Sequence, residues 1–366
     1  MKILMLANSS FGIVSFRKEL IVNFIRLNHE VHISVPYDTT IEQVKILGCN
    51  IIDTVMNSRG KNPIEDYLLY KHYIKIIKDL KPDVVLTYTI KPNIFGGFAS
   101  KKLNVPYIVN ITGLGSALEN KGKLQRLLLY LYKKSLIKAK CVFLQNKGNL
   151  DFMLEHNLLP RQHKLIPGSG VNLSKFKYKD YPNEKKLVCI FIGRIMKEKG
   201  IDLYFKLAMD IKSKYENVEF HIAGSCEENY LDILNKYSDS GIIIYHGLVN
   251  NIEYLYEKAH CLIHPTYYPE GMSNVMLEAA ATGRPIIASN RNGCKEIIDD
   301  NITGFLFEEK NYDDLYEKFM LFYNMKFIEK RMMGILGNKK VSIEFDRNII
   351  VNEYLNEIDR KPENGE

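Results

Sequence analysis

Short, fully apolar runs alternate with longer amphipathic segments along the whole chain. A strand covered on both faces reads as a continuous apolar run and its crossover helix as an amphipathic stretch, so the pattern predicts parallel sheets wrapped by helices. In the first half, strands are predicted at 2–8, 30–36, 50–56, 83–89, 106–112, 140–146 and 163–167, with helical periodicity at 16–28, 64–80, 94–103 and 123–139. In the second half, strands are predicted at 187–193, 218–224, 242–246, 260–265, 285–289 and 304–307. Two doubly wound α/β domains follow, 1–170 and 171–345, joined near Gly168-Ser169-Gly170-Val171-Asn172. The remainder, 346–366, opens with a helix that is amphipathic through Ile349, Ile350, Tyr354, Leu355 and Ile358. That helix is expected to return to the first domain, ahead of a frayed tail from Lys361 to Glu366.

Length agrees with two domains, because 366 residues exceed what one core usually organises. A chain 46% hydrophobic and 25% charged is an ordinary globular protein and not a disordered one. Six cysteines, with no C-x-x-C pair, include Cys141, Cys189 and Cys261 inside apolar runs and read as reduced core residues. No apolar run reaches the roughly 18 residues that span a bilayer, and Lys2–Ala7 is a strand rather than a signal-peptide core. The expected location is cytoplasmic, peripheral on the inner face of the membrane.

Charge changes the picture. Residues 1–180 carry 27 Lys and Arg against 13 Asp and Glu, a net +14, whereas residues 181–366 carry 23 against 30, a net −7. The first half therefore suits an anionic partner, either a membrane surface or a diphosphate lipid. Nucleic acid ranks last, since no RNP or zinc-finger pattern is present.

The densest candidate chemistry lies in Pro269-Glu270-Gly271-Met272-Ser273-Asn274-Val275-Met276-Leu277-Glu278. Pro269 and Gly271 belong to a loop, Ser273 or Asn274 can cap a helix running through Ala281, and Gly283 and Pro285 stop it. Glu270 is then in the loop and Glu278 in the second turn, on either side of a helix N-terminus whose N–H groups and dipole suit a phosphate. Carboxylates beside such a site accept hydrogen bonds from ribose or sugar hydroxyls. A second cluster follows the predicted strand 187–193, where Gly193, Arg194, Lys199 and Gly200 form a cationic loop. Its forked guanidinium and compact ammonium suit a diphosphate.

Gly-Arg-x-x-x-x-Lys-Gly at 193–200, the two glutamates of 270–278, and Gly293 to Gly304 beyond Ala288-Ser289 resemble retaining glycosyltransferases of family 4, which have the GT-B fold. Tyr88-Thr89-Ile90-Lys91-Pro92-Asn93 and Asn110-Ile111-Thr112-Gly113-Leu114-Gly115 are similar to a bacterial branch that builds capsule, O-antigen or protein-linked glycans on undecaprenyl diphosphate. The resemblance implies two Rossmann-like domains facing across a cleft, the first for acceptor and the second for donor. It implies that Arg194 and Lys199 hold the donor diphosphate, Glu278 the ribose, and Glu270 the sugar near the reacting centre. Gly193, Gly271, Met272, Ser273, Asn274 and Val275 complete the donor contacts, and Gly12, in the loop after the first strand, admits the diphosphate. Many relatives carry a histidine where this chain has Lys91 or Thr112, so these two are the first-domain candidates.

The reaction class implied is transfer of a hexosyl or N-acetylhexosaminyl unit from a UDP-sugar to an undecaprenyl-diphosphate-linked saccharide, with Glu270, Arg194 and Lys199 as the catalytic set. Neither a cofactor nor a metal is expected: Asp299-Asp300 and Asp313-Asp314 are turn or cap pairs, and the nine histidines lack ligand spacing. The stretch 123–138 is a basic amphipathic helix whose Lys123, Arg126, Lys133 and Lys134 suit an anionic bilayer. Two rival readings share the expected fold, a sugar-nucleotide 2-epimerase and a non-catalytic nucleotide-sugar-binding subunit.

Overall fold

The computed structural model describes residues 1–57, 60, 62–183, 185–227 and 229–360; the expected tail from Lys361 to Glu366 lies outside them. The chain divides into two units. One comprises residues 1–170, the short segment Pro269–Met272 and the chain from Arg347 onward, and the other Val171–Tyr268 with Ser273–Asp346.

Among the described residues of the first unit, seven strands form one parallel sheet: β1 (Lys2–Leu6), β2 (Glu30–Val35), β3 (Asn50–Asp53), β4 (Val84–Tyr88), β5 (Tyr107–Ile111), β6 (Cys141–Leu144) and β7 (His163–Leu165). Their order is β3-β2-β1-β4-β5-β6-β7, so the direction of winding reverses between β1 and β4. Successive side chains of a strand face opposite ways. Ile3 and Met5 accordingly enter one core with Ile13, Leu20 and Phe24 of the helix Ser10–Arg26, while Leu4 and Leu6 enter another with Leu69, Tyr73 and Ile77 of the helix Pro63–Leu80. Because both faces are covered, the strand sequence is apolar throughout.

The last helix, Arg347–Asp359, contributes Ile350, Val351, Tyr354 and Ile358 to the first of these cores. Tyr354 packs edge-on against Phe143 with ring centroids 4.8 Å apart and accepts a hydrogen bond from the Asn110 amide at 2.6 Å. Arg347 holds the helix start through Glu19 at 2.7 Å. Replacing a buried aromatic such as Tyr354 by alanine costs about 3–5 kcal/mol.

In the second unit the sheet has six parallel strands among the described residues: β8 (Leu187–Ile192), β9 (Val218–Ala223), β10 (Ile244–Tyr245), β11 (Cys261–His264), β12 (Ile286–Ser289) and β13 (Gly304–Phe307). The order β10-β9-β8-β11-β12-β13 again reverses once, between β8 and β11. All thirteen strands expected from the apolar pattern form.

Two local expectations need correction. The first helix starts at Ser10, not near residue 16, because Ser9 is extended and its hydroxyl accepts from the Gly12 N–H at 3.4 Å. Gly12 is thus in the first helical turn and not in a loop. The helix expected at 94–103 is two pieces, a π-helical turn Pro92–Gly96 and an α-helix Gly97–Lys102.

Candidate active site

In an open parallel sheet, ligands bind beyond the carboxyl ends of the strands where the winding reverses. In the second unit that place lies beyond β8 and β11, adjacent strands paired through Cys189 with Cys261 and Ile190 with Leu262. Both candidate motifs leave the sheet there. The cationic loop follows β8, and the helix Asn274–Ala281 follows β11 by way of residues 265–268 and Ser273.

The two exits are stitched together. Tyr267 N–H donates to the Glu198 carbonyl at 2.9 Å, and Gly200, at φ 76°, lies so close to Pro265 that a Cβ there would collide with the Pro265 carbonyl. Only glycine satisfies both the left-handed backbone and that approach. As a result Arg194 and Lys199 converge on one ring: the guanidinium carbon is 5.1 Å and the ammonium 5.2 Å from the centroid of Tyr268. Arg194 also pairs with Glu227 at 3.1 Å and is about a third exposed. Burial works against its charge, but Glu227 and Tyr268 outweigh this and raise its pKa, so it is a cation at every physiological pH. Arg291 holds the main chain at Tyr268, donating to its carbonyl at 3.0 Å while paired with Glu309 at 2.8 Å.

Helix Asn274–Ala281 is N-capped by position at Ser273, but the Ser273 hydroxyl makes no cap bond; it meets His264 Nε2 at 3.0 Å instead. That contact ties the helix start to the end of β11. The first intrahelical bond runs from Leu277 N–H to the Ser273 carbonyl, so the N–H groups of Asn274, Val275 and Met276 point past the helix end, with the positive dipole pole. Glu278, half-buried one turn on, accepts from the Tyr256 hydroxyl at 2.9 Å. The same hydroxyl faces the Val275 carbonyl at 3.1 Å. Burial is the main reason the Tyr256 pKa is raised well above its usual value, keeping it a donor.

Glu270, Gly271 and Met272 group with the first unit. There Asn146, just beyond β6, donates from its side-chain amide to the Glu270 carbonyl at 3.1 Å and to the Gly271 carbonyl. A Cβ on Gly271 would fall on the Thr112 carbonyl and the Gln145 side-chain oxygen, which accounts for a glycine at this position. Thr112 therefore meets this segment through its main chain. Lys91 is paired with Asp66 at 2.7 Å and only 12% exposed, so its charge is already neutralised and is not presented at the surface. Lys123, Arg126, Lys133 and Lys134 are all exposed on the helix Lys123–Leu136. His260 accepts from the Val188 N–H at 3.1 Å, and like His264 it is a buried structural residue. Asp313 and Asp314 occupy the first turn of the helix Tyr312–Asn324, while Asp300 accepts from the Leu306 N–H at 2.8 Å.

Known families match both units. Residues 174–339 match the model described as "Glycosyl transferases group 1" and residues 2–146 the model described as "Glycosyl transferase 4-like". This chain belongs to the group 1 and 4-like glycosyltransferases. It is 28% identical to an N,N'-diacetylbacillosaminyl-diphospho-undecaprenol alpha-1,3-N-acetylgalactosaminyltransferase of Campylobacter jejuni, over 98% of this chain and 99% of the relative. It is 29% identical to a UDP-Gal:alpha-D-GlcNAc-diphosphoundecaprenol alpha-1,3-galactosyltransferase of Escherichia coli, over 65% and 66%. In fold it resembles a glycosyltransferase from Rickettsia africae, with TM-score 0.81, 20% identity and 99% of both chains covered. It also resembles Anabaena HepE, solved in complex with UDP and glucose, with TM-score 0.79, 15% identity and 98% of both chains covered. The architecture is GT-B, as the motifs implied.

Several residues of this glycosyltransferase's candidate site escape a reading of the sequence. Tyr268 is next to Pro269 in the chain, but nothing local says that two cations meet on its ring. Asn146, Glu227 and Tyr256 are polar residues whose partners are distant in the chain, and only the fold of its own unit brings each to its partner. No helix among the described residues is long and apolar enough to cross a membrane.

Proposed function

We propose that this glycosyltransferase moves a hexosyl or N-acetylhexosaminyl unit from a UDP-sugar to a lipid-diphosphate-linked saccharide, with retention and without a metal ion. The observation that carries this reading is the convergence of Arg194 and Lys199 on Tyr268, beyond β8 and beside the strand that leads to the N-terminus of the helix Asn274–Ala281. In the reaction the donor C1–O bond breaks and negative charge develops on the departing diphosphate. Fixed cations and helix N–H groups stabilise that charge as a metal ion otherwise would. Glu278 is assigned to the ribose, and Glu270 to the donor sugar.

The acceptor hydroxyl oxygen bonds to C1 on the face that the diphosphate leaves, and its proton passes to the departing phosphate oxygen. Support for retention comes from the printed names of the Campylobacter and Escherichia coli relatives, both of which form an alpha linkage. From an α-linked UDP-sugar that outcome is retention. The same names supply the class of acceptor, a saccharide on diphosphoundecaprenol, and one of them the UDP donor. The excess of positive charge in the first 180 residues, including the exposed Lys123, Arg126, Lys133 and Lys134, favours work at an anionic membrane surface.

The test is transfer by the purified protein from UDP-galactose, UDP-N-acetylgalactosamine or UDP-N-acetylglucosamine to a diphospholipid-linked sugar, with and without a chelator, and with the new linkage read by NMR. An α linkage formed at the same rate in both samples is expected. A β linkage, or activity that disappears with chelator and returns with Mg²⁺ or Mn²⁺, contradicts the mechanism. Conversion of UDP-N-acetylglucosamine to its manno isomer without acceptor would establish the epimerase reading instead.

A further inference from the structure

The first unit holds a cavity that the chemistry above does not use. About 530 Å³ in volume, it lies where the helices Pro63–Leu80 and Lys123–Leu136 meet the segment 92–102, and its walls include Tyr67, Tyr70, Phe95, Phe98, Leu127 and Leu131. That size is within the range of small-ligand pockets. Tyr67 and Leu127 are 56% and 53% exposed, so large apolar side chains stand in water on a concave surface, which marks a binding surface rather than a core.

The net charge of the lining is positive. The carboxylate in the lining, Asp66, is neutralised by Lys91 at 2.7 Å. Lys101 and Lys102 are also in the lining; the Lys101 ammonium is 5.9 Å from the Phe98 centroid and donates to the Lys134 carbonyl at 2.8 Å. Hydrocarbon and aromatic walls with ammonium groups beside them complement an amphiphile that has an apolar chain and an anionic head. A free saccharide would leave the aliphatic walls, Leu127 and Leu131, without an apolar partner.

We propose that this groove takes the isoprenoid chain of the acceptor lipid, with its diphosphate toward Lys101 and Lys102. The proposal rests on the transfer reading for the identity of the lipid, and on the groove alone for the chemistry of binding.

Farnesyl diphosphate, which has an isoprenoid chain and a diphosphate but neither saccharide nor bilayer, isolates that chemistry. With UDP present in excess, calorimetric titration is expected to give a Kd at least about tenfold lower for farnesyl diphosphate than for inorganic diphosphate. Leu127→Glu, at an exposed position where folding tolerates it, should abolish that advantage. Tyr130→Glu, on the same helix, 60% exposed and outside the lining, should preserve it. Equal binding of the two diphosphates, or no effect of Leu127→Glu, overturns the proposal. Equal losses in both variants overturn it too, because they would mean that the exposed helix face, and not the groove, holds the chain. Transfer by the wild-type protein to a chain-free saccharide separates the two readings. Turnover there without a chain advantage in binding removes the groove alone. A chain advantage without turnover on any acceptor removes the transfer reading alone.

Discussion

Asn146 joins two jobs in one side chain: its amide nitrogen donates to the Glu270 carbonyl at 3.1 Å, while its oxygen accepts from the Asn149 N–H at 2.7 Å and caps the helix Lys147–Glu155. The loop that carries Glu270 is thereby fastened to the carboxyl end of β6. Asn146→Asp separates the two functions, since a carboxylate still caps the helix but turns lone pairs toward two carbonyls. Because position 146 is buried, the variant should lose thermal stability, and at temperatures well below its midpoint it should also lose about tenfold or more in kcat, a change of about 1.4 kcal/mol in the barrier. Wild-type kcat in the folded variant would make Asn146 a structural residue only.

Arg194 and Lys199 share a ring and, in the proposed reaction, a charge. Removing one donor from such a preorganised site typically costs about 10²–10³ in kcat. Arg194→Ala and Lys199→Ala should each fall in that range. Because the two act on the same diphosphate, the double variant should lose less than the product of the single losses. Steady-state kinetics of the three proteins decides it, and wild-type kcat in both single variants would end the assignment.

Glu278 offers a cleaner separation of binding from folding. When it is replaced by alanine, the Tyr256 hydroxyl still has the Val275 carbonyl at 3.1 Å, so no buried donor is orphaned. The loss of a hydrogen bond to a charged group, about 1.5–3 kcal/mol, should appear as roughly a 10- to 150-fold rise in donor KM with the thermal midpoint little changed. An unchanged KM would place the ribose elsewhere.

A pH effect on stability is expected from two histidines outside the site. His221 Nδ1 and His246 Nε2 are 2.9 Å apart, and Glu219 faces His221 at 3.4 Å. Burial lowers both pKa values, more than Glu219 restores for His221, and His221 adds to the lowering at His246. Both rings are thus neutral in the folded chain under conditions where the unfolded chain begins to bind protons, near the ordinary value of 6.5. The associated stability is present above that pH and declines as pH falls below it. Thermal midpoints should drop between about pH 7 and about pH 5.5, and His246→Gln should flatten the slope. An identical slope in the variant would assign the decline to carboxylates.

The sheets were legible in the sequence because a strand buried on both faces must be apolar at successive positions, as in β1 and β8, and the helices between them must carry an amphipathic stripe. The helix start, narrowed to Ser273 or Asn274, the stop at Gly283 and the cationic loop after β8 were legible because such signals lie within a few residues, although the Ser273 hydroxyl makes no cap bond. Gly12 was misplaced because the extended backbone of Ser9, which lets its hydroxyl cap the helix, is not a property of composition. What local pattern could not supply is every relationship between distant segments. The meeting of Arg194 and Lys199 at Tyr268 depends on β8 lying beside β11, and the Lys91–Asp66 pair depends on how the helix Pro63–Leu80 packs. The grip of Asn146 on Glu270 spans 124 positions in the chain. Secondary structure and the identity of the candidate groups follow from neighbours along the chain; which of those groups share a site follows from register and packing, which close only when the whole chain has folded.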